Sequence, residues 1–210
     1  MRSCSRCILH RYRKNAVPGE GSRNASVMLI GEAPGATEDE LGRPFVGAAG
    51  RLLTMVLESL GIRREQTYIT NVVKCRPPQN REPRDDEIEN CSIYLESQIV
   101  MLKPKIVVTL GNIAGKKVFS MCSIEWEGIM RMRGRVYSVN LLGLDVSVIP
   151  TIHPAAALYN PSLREILTSD LKYIRDLMYG SIGKESNKRD TKTLLDYIKK
   201  RHLDYVESGI

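Results

Sequence analysis

The chain has 210 residues, with 31 lysines and arginines against 24 aspartates and glutamates, a formal charge of +7, 42% hydrophobic residues, five cysteines and two phenylalanines. This length and apolar fraction suit one folded domain of about 150–200 residues with a short appendage, and exclude a chain that is disordered throughout. No apolar run reaches the roughly 20 residues of a membrane span, and the basic segment 1–14 has no hydrophobic stretch after it, so a soluble, cytoplasmic protein without a signal peptide or membrane contact is expected. The charge favours an anionic partner without specifying one, and an odd number of cysteines disfavours a disulfide framework.

Three β-rich runs come first in chain order: Val27 to Ile30 ending at Gly31, Thr67 to Val73, and Ile106 to Leu110 ending at Gly111. Each reads as a buried parallel strand. Between them, Leu52, Leu53, Val56, Leu57 and Leu60 mark a helix over 48–60, and the acidic start at Asp85, Asp86 and Glu87 opens another running to Leu102. A further helix starts near Asn112, two strands flank Asn140 to Gly143, and Pro161 begins a helix ending near Tyr179. Strands alternating with helices predict βαβ units and a parallel sheet. The expected fold is a three-layer α/β/α sandwich on a central four-stranded, mainly parallel sheet. Residues 181–190 read as a polar linker, and 191–210 as an amphipathic helix attached to a domain spanning 1–180.

The cysteines are the first chemical signal. Cys4 and Cys7 form a C-x-x-C, Cys75 follows the second strand, and Cys91 falls sixteen positions later on a predicted helix. A two-residue gap lets one turn offer both sulfurs to one centre, which suits tetrahedral zinc and iron-sulfur clusters alike. Spacing alone leaves zinc, a cluster and ordinary buried thiols all open. Cys122 stands apart and reads as a core thiol, with no base beside it to make it a nucleophile.

The glycine-rich stretch from Gly31 to Gly50 leaves the end of a strand, where open α/β sheets bind ligands. It is neither a dinucleotide fingerprint nor a P-loop. Within it Glu38, Asp39 and Glu40 read as solvated loop carboxylates, and Phe45 as an exposed ring able to stack on a flat ligand. This loop, the run Thr70-Asn71-Val72-Val73-Lys74-Cys75-Arg76-Pro77-Pro78, the four cysteine positions and Ile152-His153-Pro154-Ala155-Ala156-Ala157-Leu158 together resemble the family 4 uracil-DNA glycosylases of bacteria and archaea, which carry a 4Fe-4S cluster. The likeness covers residues 1–180, with all motifs in order.

That resemblance implies an enzyme of base excision repair that flips uracil out of DNA and hydrolyses its glycosidic bond without lyase activity. It implies a stacking role for Phe45, and an Asn71 amide that donates to uracil O4 and accepts from N3–H, a pattern that cytosine presents in reverse. Glu38 would crowd a thymine methyl at C5. A neutral His153 would donate to O2 as the uracil anion departs, and Glu32 would orient the attacking water, with the Ala33 N–H turned to the pocket. Cys4, Cys7, Cys75 and Cys91 would hold the cluster in a structural role. Related sequences often carry H-P-S where this chain has His153-Pro154-Ala155, so a serine contact to phosphate is missing. Leu158 is the expected apolar wedge, and Arg43, Arg76 and Arg164 are the expected phosphate contacts.

Three rival functions follow from the same motifs. A non-hydrolytic uracil-DNA binder would carry a histidine in the loop Pro77 to Arg84, which has none. A family 5 glycosylase of broader specificity would lack the Glu32 and Glu38 pattern, and an electron-transfer protein would leave Phe45, Asn71 and His153 without purpose. The segment Thr191 to Ile198 resembles a degenerate sliding-clamp-binding motif without its leading glutamine, on a protein expected to be monomeric.

Overall fold

In a computed structural model, residues 1–180 are described; the predicted linker 181–190, the helix 191–210 and the clamp-like motif lie outside the described residues. The strands are β1 (Glu20–Gly21), β2 (Val27–Gly31), β3 (Thr67–Asn71), β4 (Ile106–Leu110), β5 (Tyr137–Leu141) and β6 (Leu144–Thr151). The helices are α1 (Ala36–Leu41), α2 (Ala48–Ser59), α3 (Asp85–Leu102), α4 (Asn112–Met121), the single turn α5 (Ile129–Met132) and α6 (Pro161–Met178).

One sheet runs in the order β1-β3-β2-β4-β6-β5. Its four inner strands are parallel to their neighbours, as expected, and β1 and β5 add an antiparallel strand at each edge. The inner strands read as unbroken apolar runs because both faces are covered. Val27 and Leu29 join one core with Leu53 and Leu57 of α2 and Leu167 and Leu171 of α6. Met28 and Ile30 join a second with Leu95 and Ile99 of α3 and Val118 and Phe119 of α4. The period-two alternation of a strand thus separates two cores, giving the three layers.

Three expectations are corrected here. The stretch 31–50 is not all loop, since its acidic run forms α1, started at Gly35 and ended by Gly42 in a left-handed turn with φ 66. A glycine supplies that turn without a Cβ penalty. Nor are its three carboxylates simply solvated. Glu40 is exposed and pairs with Lys14, whereas Asp39 is buried and accepts the Lys14 and Asn15 N–H groups at 2.9 and 3.1 Å, pinning the N-terminal arm. The strand expected to reach Val73 ends at Asn71, although Val72 and Val73 still donate to the Gly31 and Glu32 carbonyls.

All four parallel strands therefore end on one edge of the sheet, where ligands bind in open α/β folds. Helix α6 is held to that edge by Asp170, 1% exposed, which accepts from the Arg133 guanidinium at 2.9 and 2.5 Å and from Thr151 Oγ1 at 2.7 Å. Removing Asp170 leaves the Arg133 charge facing a buried gap. Asp170→Ala is expected to lower stability by about 3–5 kcal/mol, read from denaturant midpoints; a loss below about 1 kcal/mol would show that the pair is solvent-screened.

Candidate active site and cysteine site

Gly31 closes β2 at the point where the motifs meet. A Cβ there would fall 2.4 Å from Asn71 Oδ1 and 2.5 Å from Phe45 Cζ, so only glycine lets the carboxamide and the ring lie this close to the strand. His153 approaches Phe45 with ring centroids 5.7 Å apart and packs its Cβ over Gly111 at the end of β4. Asn71, Phe45 and His153 are thereby brought together from the ends of β3, the α1–α2 connection and β6.

Phe45 is not the exposed ring expected from its loop. It is 7% exposed and its backbone has φ 50, a left-handed conformation that strains a bulky side chain. Three neighbours enforce it. Gly50 of α2 leaves room for the Phe45 main chain, which a Cβ would meet at 2.0 Å. Arg64, which no motif in the sequence marks, donates to the carbonyls of Pro44 and Phe45 at 2.6 and 3.1 Å. Glu38 Oε1 accepts the N–H groups of Val46 and Gly47 at 2.9 and 2.7 Å, capping α2. Glu38 is thus a brace of the ring-bearing loop.

Asn71 is 1% exposed, and its Oδ1 has no hydrogen-bond partner, one of two such buried side-chain atoms among the described residues. A buried acceptor left bare costs about 1–3 kcal/mol, recoverable by a ligand N–H. His153 Nδ1 accepts the Ala155 N–H at 3.2 Å, which places the ring proton on Nε2. Burial pushes the imidazole down to about 4, against the opposing charge of Glu38. The ring is therefore a neutral Nε2–H donor at neutral pH. Glu32, next to Gly31, is half-buried, and burial followed by the charge of Glu82 raises its pKa above the usual carboxylate range.

The remaining predicted residues sit outside this cluster. Ala33 is half-buried beside the second core. Arg43 is exposed and bound to both oxygens of Glu20 at 2.6 and 2.8 Å, Arg76 donates to Asn80 Oδ1 at 2.7 Å, and Arg164 reaches the Leu158 carbonyl at 3.4 Å. Leu158 packs against the first core, and the apolar side chain that projects from its loop is Tyr159, 94% exposed, which the sequence reading passed over.

The four cysteines line one pocket with Arg13 and Tyr94. Arg13 donates to Cys75 Sγ at 3.1 Å and to the Cys4 carbonyl at 2.9 Å, and the Lys74 N–H donates to Cys91 Sγ at 3.3 Å. Burial raises the Cys75 and Cys7 thiols and pushes Cys91 up to about 11, while for Cys4 the hydrogen bond from Tyr94 and nearby positive charges outweigh burial and lower it. No three histidine, cysteine or carboxylate side chains among the described residues stand close enough to grip a single metal ion. Four thiols around one shared space, two of them met by N–H donors, are soft ligands of the kind used by thiolate-bound metal centres. Cys122 is pushed up to about 12 by burial and packs on the second core, as a bystander should.

Fold and site define an α/β protein with an unpaired, buried amide oxygen beside two rings at the carboxyl edge of its sheet. Residues 18–177 match the family described as the uracil DNA glycosylase superfamily. A type-4 uracil-DNA glycosylase of Sulfurisphaera tokodaii is 54% identical over 176 residues, covering 83% of this chain and 80% of the relative. One from Archaeoglobus fulgidus is 47% identical over 93% of this chain and 94% of its own length. A type-5 uracil-DNA glycosylase of Pyrobaculum aerophilum is more distant, at 35% over 69% and 67%. The chain belongs to the uracil DNA glycosylase superfamily, in its type-4 branch.

The His153 geometry has a measurable consequence for stability. The ring takes up a proton near pH 6.5 in an unfolded chain but only near 4 when folded, so between these values the unfolded chain holds the extra proton. The stabilisation is complete above pH 6.5 and is lost as the pH falls toward 4. Denaturant unfolding from pH 7 to 4 should show a steeper loss for the wild type than for His153→Asn; parallel curves would remove the case for a neutral buried imidazole.

Proposed function

We propose that the protein excises uracil from DNA by hydrolysis of the N-glycosidic bond, leaving an abasic site. The unpaired, buried Oδ1 of Asn71, near the Phe45 ring that His153 in turn approaches, carries this reading. Uracil offers an N–H at N3 flanked by two carbonyls. Asn71 Oδ1 accepts from N3–H and its amide donates to O4, whereas cytosine puts an acceptor at N3 and a donor at C4 and leaves both groups mismatched. Phe45 stacks on the extrahelical ring, worth about 1–3 kcal/mol.

As the glycosidic bond lengthens, negative charge gathers on uracil O2 and positive charge on the sugar. His153 Nε2–H meets that oxygen as a preorganised donor, needing no proton transfer. Glu32 orients the water that captures the sugar cation, and a cation of this kind needs no strong base. Glu38 shapes the C5 side of the pocket through the Val46–Gly47 turn. Leu158 and the exposed Tyr159 form the apolar edge that fills the gap in the duplex, with Arg43, Arg76 and Arg164 toward phosphates.

The cysteine site is read as the seat of a 4Fe-4S cluster held by Cys4, Cys7, Cys75 and Cys91. Its contribution is structural: the bound cluster cross-links the N-terminal arm, the β3–α3 connection and α3. Cys75→Ala is expected to lose iron and melt at lower temperature, and unchanged iron content with unchanged melting would refute the assignment.

A 5′-labelled duplex with one G·U pair tests the activity. Breakage is expected only after alkali, without added metal or nucleotide, because hydrolysis alone leaves the strand intact. A stable complex with no breakage would mark capture instead of turnover. His153→Leu should reduce kcat by about 100- to 1,000-fold with KM little changed, the loss expected of one oxyanion donor.

A further inference from the structure

Lys74 is among the largest side chains sealed from solvent in the described residues, at 1% exposure. It sits in the short segment that leaves β3 at Asn71 and delivers Cys75. Its Nζ donates to Thr70 Oγ1 at 2.7 Å, to the Asn71 main-chain carbonyl at 2.5 Å and to Gln98 Oε1 at 2.8 Å. The Thr70 hydroxyl sends its own proton to the Pro18 carbonyl at 2.8 Å, and Gln98 Nε2 donates to that same carbonyl at 2.6 Å, so both face Lys74 as acceptors. Three acceptors match an ammonium; a neutral amine has two N–H bonds and would turn its lone pair on an oxygen.

None of these three acceptors is a carboxylate. The cysteine site lies directly beyond them, with Cys91 against the Lys74 main chain. The main chain of Lys74 faces the same way, with its N–H on Cys91 Sγ at 3.3 Å and its carbonyl accepting the Val17 N–H at 2.7 Å. One residue thus touches the strand that carries Asn71, the helix that carries Cys91 and the N-terminal arm, and is bonded directly to Cys75.

We propose that Lys74 is a positioning residue that ties the cysteine site to the base-reading amide: its Nζ holds the Asn71 main chain so that the bare Oδ1 stays aimed at the ligand, while its main-chain N–H on Cys91 and its bond to Cys75 fix the same segment on the cysteine site. This rests on the uracil-excising function proposed above. Loss of its three hydrogen bonds frees the segment from Asn71 to Cys75, which serves both sites. Uracil recognition and retention of the cluster then fail together when the ammonium is removed, although the two sites share no side chain.

Lys74→Met keeps the stem volume and removes the charge and all three donors. Steady-state kinetics on uracil-containing DNA, release of cytosine from the same position, and the rate of iron loss to a chelator are measured for wild type and variant. The expected result is a rise in KM of about tenfold, larger than any fall in kcat, with weaker preference for uracil over cytosine and iron loss about tenfold faster. A lower melting temperature with unchanged KM, preference and iron loss would overturn the proposal, since a merely structural lysine does just that. If Lys74→Met does not fold, Gln98→Leu decides: it leaves the charge and removes one acceptor, and should move KM and iron loss the same way by a smaller factor, while unchanged values overturn the proposal. A wild-type protein that releases no uracil refutes the proposed function itself, whereas an active wild type with an unshifted variant refutes only the role of Lys74.

Discussion

The absence of a side chain at Gly31 is the constraint on which the site depends. The Asn71 carboxamide and the Phe45 ring occupy the space a Cβ would take, so they can flank the end of β2 only because nothing projects from it. Everything nearby serves to deliver those two groups to that point. Parallel register puts Gly31 beside Asn71 directly, and the α1–α2 connection folds back over the sheet edge to bring Phe45 down.

Delivery has energetic costs, and the scaffold meets them away from the reacting groups. Phe45 holds a left-handed backbone, Asn71 buries an acceptor without a donor, and His153 sits uncharged in a position that opposes protonation. Each is a local penalty that persists only where surroundings over-determine it. Arg64, Gly50 and Glu38 fix the ring-bearing turn, the Asp170 pair fixes the strand that leads to His153, and the Lys74 ammonium fixes the main chain of Asn71. Base recognition in such a site comes from groups left unsatisfied until the correct ring arrives.

The cysteine site belongs to the same logic. It is remote from the ring pocket in sequence, since two of its cysteines open the chain, yet Cys75 follows Asn71 by four residues. The arm that carries Cys4 and Cys7 is pinned by Asp39 of α1, and α1 also supplies Glu38. The cysteine-bearing arm and the Glu38 brace thus meet on one short helix.

The sequence by itself determined the architecture. Buried strands with helices on both faces show as unbroken apolar runs between amphipathic periods, and these are local patterns that one chain displays completely. It also pointed to Phe45, Asn71 and His153, each within a contiguous motif, and to Cys4, Cys7, Cys75 and Cys91 through their places along the chain. What it could not show is which neighbours hold them. Glu38 reads as a solvated carboxylate until α1 and α2 meet, Phe45 reads as exposed until α2 closes beneath it, and nothing marks Tyr159 as the exposed side chain beside Leu158. Arg64 and Lys74 look like two more basic residues in a chain of charge +7. Their roles depend on oxygens brought from elsewhere in the chain, those of Pro44 and Phe45 for Arg64 and that of Gln98 for Lys74, and such partners exist only once the tertiary structure has formed.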